Sequence, residues 1–190
     1  PLKFPRSPLP YLVGVMALFS MIPEGAILDW SALFLQQKHG ASIELAALGF
    51  AAFSATMAIM RFAGDAIRQR LGAVLTLRIC GGFALTGMMI AASAPVPELT
   101  ILGFAIAGIG ISNMVPIAFS AAGNLPGIPS GIGLSIVTVM GYSGILIAPS
   151  AIGFIAEHTG FSPVLMGTAA LILVTLALSR LARYANFSAE

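Results

Sequence analysis

The sequence predicts an all-α protein, a polytopic membrane helical bundle with six transmembrane helices, and three observations predict it. The 190 residues are 58% hydrophobic and only 8% charged, with a mean hydropathy of +0.98. Soluble domains, by contrast, carry about 25% charged residues. Apolar segments of membrane-spanning length recur along the chain, and Lys and Arg are distributed unevenly among the segments that connect them. These properties exclude an ordinary soluble domain.

The apolar segments give the element order. A transmembrane helix needs about 20 mainly apolar residues, and six segments have that length or approach it. Their connections contain Gly, Pro or polar residues and are too short for a soluble domain, so we expect one six-helix domain over residues 1–190. The predicted spans are 10–35, 45–62, 74–93, 99–118, 131–155 and 163–179.

The basic residues predict the orientation. With six spans, both termini and the second and fourth connections lie on one side of the bilayer, and eight of the nine basic residues fall there. The positive-inside rule makes that side the cytoplasm. Because topology accounts for the basic excess, the net charge of +2 does not indicate nucleic-acid binding. The inside residues are Lys3, Arg6, Arg61, Arg68, Arg70, Arg78, Arg180 and Arg183, and the outside one is Lys38.

The densest group of charges lies between the second and third spans. Arg61, Asp65, Arg68 and Arg70 occur within ten residues, with strongly apolar segments on both sides. A charge at the centre of a membrane helix costs about 2.5–3.5 kcal/mol on insertion scales. We therefore expect a short cytoplasmic loop over residues 60–72.

Two carboxylates lie within the first predicted span. Glu24 is near its middle, directly after Pro23, which is expected to kink or break the helix. Asp29 lies about 7.5 Å further along the axis and about 140° around it, so we expect the two acids on different faces. Acidic residues inside spans are typical of proton pathways and substrate sites. The alternative is that each acid only hydrogen-bonds to a neighbouring helix.

The fourth span carries a stripe of small residues, Gly103, Ala107 and Gly110, which Asn113 continues one turn before Pro116. Small residues let membrane helices approach closely, and Asn113 is interpreted either as an interhelical hydrogen-bonding group or as a group facing a substrate. The second and fifth spans have similar stripes, formed by Ala47, Ala51, Ser54, Ala55 and Ala58 and by Gly141, Gly144, Ala148 and Ala151.

No catalytic, metal or cofactor site is predicted. No set of Cys, His and carboxylate residues has metal-ligand spacing. The segment Gly141-Tyr-Ser-Gly144 matches the GxSG motif of rhomboid intramembrane proteases, but Ser143 needs a His supplied by another helix. His158 lies about 22 Å further along the same predicted helix. His158 and His39 are instead expected in outward loops, and the protein is not expected to be an enzyme.

Four segments in chain order resemble major facilitator superfamily transporters. Residues 61–72, RFAGDAIRQRLG, resemble the conserved loop of their C-terminal halves, although Ala66 follows Asp65 where the family usually has Arg. Residues 24–30, EGAILDW, are similar to the seventh span of a bacterial inner-membrane subgroup. Residues 108–116, GIGISNMVP, resemble the tenth span, and residues 153–160, GFIAEHTG, the junction of the eleventh and twelfth spans.

This resemblance implies spans seven to twelve of a twelve-span secondary transporter, built here from two inverted three-helix repeats. The first and fourth spans would line a cavity, the second and fifth would contact an N-terminal six-helix half, and the third and sixth would face lipid. A chain that starts at Pro1 is accordingly expected to be part of a longer protein. The expected activity is movement of a small solute across the bacterial inner membrane by alternating access, coupled to protons.

The resemblance also implies roles for individual residues. Glu24 would be the principal proton or substrate group, with Asp29 and Asn113 as further cavity groups. A conformational loop would comprise Arg61, Gly64, Asp65, Arg68, Arg70 and Gly72. The alternative is a six-helix membrane protein that binds a ligand or scaffolds a partner without transport.

Overall fold

The computed structural model describes residues 5–186, so Lys3 lies outside the described residues. Within that range the chain forms helices joined by short connections, without strands. In chain order the helices are α1 (Leu9–His39), α2 (Ile43–Leu71), α3 (Ala73–Ser93), α4 (Pro97–Ile111), α5 (Met114–Gly123), α6 (Ser130–Thr159), α7 (Phe161–Ala177) and a 3-10 helix (Ser179–Ala185).

The helix lengths confirm a helical membrane bundle. Among the described residues, α1, α2, α3 and α6 are each long and apolar enough to cross a bilayer, and so is the pair α4 and α5 taken as one span, Pro97–Gly123. The sixth predicted span is formed only by α7 together with the 3-10 helix, and these two are bent by 62°. Counting that bent pair as one span gives the six that the sequence predicts.

The predicted loop over residues 60–72 is wrong. Helix α2 continues to Leu71, and Gly72 alone separates it from α3. The 29 residues of α2 make a helix about 44 Å long, whereas the hydrocarbon core is about 30 Å thick. The last turns of α2 therefore extend past the hydrocarbon, and Arg68 and Arg70 leave it without any loop.

The first three spans and the last three share a pattern that the sequence does not reveal. In each set the long middle helix ends at a single glycine that begins the third helix, Gly72 with φ 76° and Gly160 with φ 81°. A positive φ is accessible to glycine at little cost, which permits so abrupt a reversal. This repetition agrees with two three-helix units.

Proline has different effects in the first and fourth spans. The break expected at Pro23 does not occur, because α1 runs without interruption from Leu9 to His39. The fourth span is interrupted at Ser112 and Asn113, four and three residues before Pro116. Proline lacks the N–H that would bond to the carbonyl four residues earlier, so the Ser112 carbonyl lacks its helical donor.

The small-residue stripe of the fourth span forms a close contact with α3. A Cβ at Gly87 of α3 would lie 2.6 Å from the Gly103 carbonyl oxygen, and a Cβ at Gly103 would lie 2.6 Å from the Ala91 nitrogen. The backbones of α3 and α4 therefore touch, as the stripe predicts. The stripe of α2 is different, because Ala47, Ala51, Ala55 and Ala58 are exposed in the described part of the chain.

The side chains of Arg78 and Lys38 lie at opposite ends of the bundle. At one end Arg78, near the start of α3, donates from Nε to Ser179 Oγ at 3.0 Å, and Arg68 and Arg70 lie close by at the end of α2. At the other end Lys38 Nζ donates to the Ala92 carbonyl at 2.6 Å, near the C-terminus of α3. The side of the membrane on which each end lies remains a prediction.

Candidate functional site

An open cavity of about 550 Å³ lies among α1, α2, α5 and α6. Its wall is mainly apolar but includes two acidic side chains and one basic side chain. Pockets that combine an apolar lining with a few polar groups are typical of small-molecule sites. The lining residues are Met21, Glu24, Gly25, Leu28, Asp29, Arg61, Val115, Pro116, Phe119, Tyr142 and Ile145.

An ion pair crosses this cavity from α1 to α2. Arg61 Nη2 donates to Glu24 Oε1 at 2.8 Å, and the Glu24 side chain is only 15% exposed. Glu24 is the middle residue of α1, the position at which a spanning helix is deepest in the bilayer. The carboxylate therefore has a partner on α2, at a depth where an unpaired charge would be costly, although the Arg61 side chain itself is 42% exposed.

Arg61 also contacts the interruption of the fourth span. Its Nε donates to the Ser112 carbonyl at 3.4 Å, the carbonyl that Pro116 leaves without a helical donor. One guanidinium thus joins α1, α2 and the junction of α4 with α5. Unpaired carbonyls inside a bilayer are unfavourable, so this contact stabilises the interrupted helix.

Asp29 lines the same cavity, although it lies about 140° around α1 from Glu24. The cavity surrounds a broad sector of α1 that includes positions 21, 24, 25, 28 and 29. This sector is wide enough for two acids that are about 140° apart to reach the same space. Asp29 is exposed, whereas Glu24 is mostly buried.

Asn113 is placed between helices. Its side chain is buried and Nδ2 donates to the Met60 carbonyl at 3.3 Å and to Ser112 Oγ at 3.0 Å. Gly64 of α2 lies directly against Asn113 Oδ1, where a side chain would not fit. Asn113 is not among the residues that line the cavity. The geometry therefore favours the interhelical interpretation of this residue.

The residues of the predicted conformational loop divide into two groups. Arg61 lines the cavity, whereas Asp65, Arg68 and Arg70 occupy the last turns of α2. Asp65 Oδ1 accepts from Arg68 Nη2 at 3.1 Å. Sequence reasoning missed the place of Arg61 in the site. The spacing along α2 could have indicated it, because Arg61 comes 18 residues after Ile43, the first residue of the helix. That spacing is about 27 Å, which is less than the thickness of the hydrocarbon core.

Ser143 and His158, the two residues that a serine protease would pair, do not contact each other. Ser143 Oγ donates to the Met140 carbonyl at 2.7 Å, and His158 Nδ1 lies 2.8 Å from the Phe154 carbonyl, all within α6. His158 and His39 lie near helix ends and not in loops, and His39 Nε2 is 2.9 Å from Thr100 Oγ1. Among residues 5–186, no three or more His, Cys, Asp or Glu side chains are grouped to hold a metal ion.

The fold and the charged cavity define a class, the polytopic helical membrane proteins with a polar site inside the bundle. No family model matches the chain. It is 39% identical over 176 residues to an uncharacterized MFS-type transporter of Yersinia pestis, a match that covers 93% of this chain and 45% of the relative. It is 35% identical over 155 residues to the membrane protein MosC of Rhizobium meliloti, covering 82% of this chain and 38% of that protein. It is also 36% identical over 156 residues to the uncharacterized transporter y4wD of Sinorhizobium fredii, covering 82% and 41%.

Solved structures share the fold. The E. coli fucose:proton symporter FucP matches with a TM-score of 0.77 at 17% identity, over 93% of this chain and 43% of FucP. The peptide transporter POT, solved with alafosfalin, matches with a TM-score of 0.79 at 16% identity, over 93% and 38%. The chain belongs to the major facilitator superfamily. It spans about half the length of the curated relatives that it matches.

Proposed function

We propose that this chain is the C-terminal six-helix half of a secondary transporter that moves a small solute by alternating access, coupled to protons. The observation that carries this proposal is the ion pair between Glu24 and Arg61 in an open cavity inside the bundle. Ionisable groups within membrane spans are costly and are characteristic of ion and substrate pathways. The transporter names of two relatives support the same conclusion.

The partner of this half is an N-terminal six-helix half. The exposed stripe of α2 supports this assignment, because membrane helices with small-residue faces need another helix to pack against. Much of α6 is also exposed, including Val139, Leu146 and Phe154. We place both termini in the cytoplasm of a bacterial inner membrane, following the positive-inside rule.

Protonation of Glu24 is the proposed coupling step. A carboxylate attracts the Arg61 guanidinium, whereas a protonated Glu24 is neutral and loses that attraction. Arg61 would then be held less strongly to α1, while its bond to the Ser112 carbonyl at the interruption of the fourth span does not depend on the charge of Glu24. A proton on Glu24 would thereby alter the linkage among α1, α2 and α5. Asp65, Arg68 and Arg70, together with the turn at Gly72, would act in the conformational change and not in binding.

The test is solute uptake by the full-length transporter in proteoliposomes. A panel of small solutes is presented with and without an imposed pH gradient, and with the gradient in each direction. We expect at least one solute to accumulate against its own concentration gradient only when the pH gradient is present. Solute binding without any uptake would contradict transport and would favour the binding-protein alternative. Uptake that is indifferent to the gradient would contradict proton coupling.

A further inference from the structure

We propose that Asp29 binds the positive charge of the transported solute, and that this solute is a monovalent organic cation with an apolar body. This inference rests on the proposed transport function and adds the chemical class of the substrate to it. Three features carry the inference: the charge balance of the cavity wall, the lack of a partner for Asp29 within residues 5–186, and the apolar and aromatic wall beside it.

The charge balance of the cavity wall that this chain supplies leaves one negative charge. Its ionisable acidic and basic side chains are Glu24, Asp29 and Arg61. Arg61 neutralises Glu24 through the contact of 2.8 Å. The carboxylate of Asp29 remains, and it makes no hydrogen bond or ion pair with any residue in the described range 5–186. A single negative charge in a cavity with low-dielectric walls attracts a cation and repels an anion.

The wall around Asp29 suits an apolar body attached to that cation. Leu28 and Ile145 are aliphatic, and Phe119 and Tyr142 supply aromatic rings to the same cavity. Aromatic faces interact favourably with organic cations as well as with apolar groups. The volume of about 550 Å³ also lies in the range of about 300–1,000 Å³ that is usual for small-molecule pockets. An amine carried on a hydrophobic group matches both parts of this wall.

Glu24 is the weaker choice for binding that cation. Its carboxylate is mostly buried and already accepts from Arg61, so a solute cation would have to compete with a bound guanidinium. Asp29 is exposed to the cavity and needs no such exchange. The two acids therefore have separate tasks, with proton exchange at Glu24 and charge recognition at Asp29.

The test measures equilibrium binding of three matched probes to the purified full-length transporter. Phenethylamine, 2-phenylethanol and phenylacetate share a phenylethyl or phenylmethyl body and carry a positive, zero and negative charge at neutral pH. We expect phenethylamine to bind about tenfold or more tightly than 2-phenylethanol, a factor that corresponds to about 1.4 kcal/mol. Asp29→Asn should abolish this preference, whereas Asp29→Glu and the control Glu157→Gln should retain it.

Several outcomes would overturn the assignment. These are a parent transporter that binds none of the probes, one that binds 2-phenylethanol as tightly as phenethylamine, and an Asp29→Asn variant that keeps the preference. A large fall in the unfolding temperature of Asp29→Asn, with the preference for phenethylamine unchanged, would assign Asp29 to an ion pair with the other half. Uptake of phenethylamine into proteoliposomes separates the two proposals. Binding that depends on Asp29, without uptake of any solute, would contradict transport and leave the cation site in place.

Discussion

At the residue scale, Arg61 of α2 contacts both α1 and the junction of α4 with α5 in the candidate site. It reaches Glu24 on α1 at 2.8 Å and the Ser112 carbonyl at 3.4 Å, and Pro116 is the reason that this carbonyl is free to accept. Loss of the guanidinium would leave a mostly buried carboxylate and a backbone oxygen without these donors. Its contribution to stability is therefore tied to the presence of Glu24.

This dependence predicts a particular outcome for a double-mutant cycle. Arg61→Gln should lower the unfolding temperature of the full-length protein, because it leaves the Glu24 carboxylate unpaired. Glu24→Gln should rescue part of that loss when the two changes are combined, with a coupling energy of about 0.5–3 kcal/mol. The exposed Arg70 supplies the control, since Arg70→Gln should show no coupling to Glu24→Gln. Additive effects of the changes at Glu24 and Arg61 would contradict the pair.

The sequence identifies Glu24 as a site residue but does not identify its partner Arg61. Glu24 is conspicuous as an acid in the middle of an apolar segment. Charge density groups Arg61 with the neighbouring basic residues, because it does not distinguish a side chain in a cavity from one at the membrane surface. The two residues are 37 positions apart, and their contact depends on how α1 and α2 are rotated against each other. Local patterns do not determine that rotation.

At the scale of elements, the spans themselves were predictable. The predicted span 74–93 matches α3 (Ala73–Ser93) within one residue, because hydropathy and flanking polar residues mark both ends. The boundary of the second span was missed, since a helix continues into water when its backbone hydrogen bonds remain satisfied. A pattern of charges locates the edge of the hydrocarbon and not the end of the helix. Hydropathy likewise does not reveal the interruption at Ser112 and Asn113.

The close contact of α3 with α4 gives a prediction at this scale. Gly87→Ala places a methyl group 2.6 Å from the Gly103 carbonyl oxygen, so the helices must separate. Overpacking of this kind costs about 1–3 kcal/mol. We expect a lower unfolding temperature, measured by thermal denaturation of the detergent-solubilised transporter. Gly82→Ala is the matched control on the same helix, because a Cβ at Gly82 has no atom within 4 Å and should be tolerated. Equal stability of the two variants would contradict the backbone contact.

At the scale of the whole molecule, the segregation of charge predicts the topology. Cysteine introduced at Ser42, before α2, should react with an impermeant maleimide added outside the cell, whereas cysteine at Gln69, near the end of α2, should not. Both positions are exposed, and the native Cys80 is buried, so background labelling should be low. Labelling of both positions from the same side of the membrane would contradict the assigned orientation.

The proposed organisation into two halves also belongs to this scale. The chain spans about half of its relatives, and the exposed faces of α2 and α6 lack partners among the described residues. In the proposed transporter, the open cavity of this chain becomes enclosed when a second half covers it. Alternating access then requires that the groups in the cavity respond to a change in proton or solute occupancy. Glu24 is the group on which this account depends.

The most direct test compares two modes of transport in proteoliposomes that contain the full-length protein with Glu24→Gln. Glutamine keeps the shape of a protonated glutamate but does not titrate, so the variant should still exchange solute across the membrane at equal pH. It should lose all accumulation driven by a pH gradient, whereas Glu157→Gln should accumulate solute as the parent does. Accumulation by Glu24→Gln equal to that of the parent would contradict the account and leave Glu24 with a structural role alone.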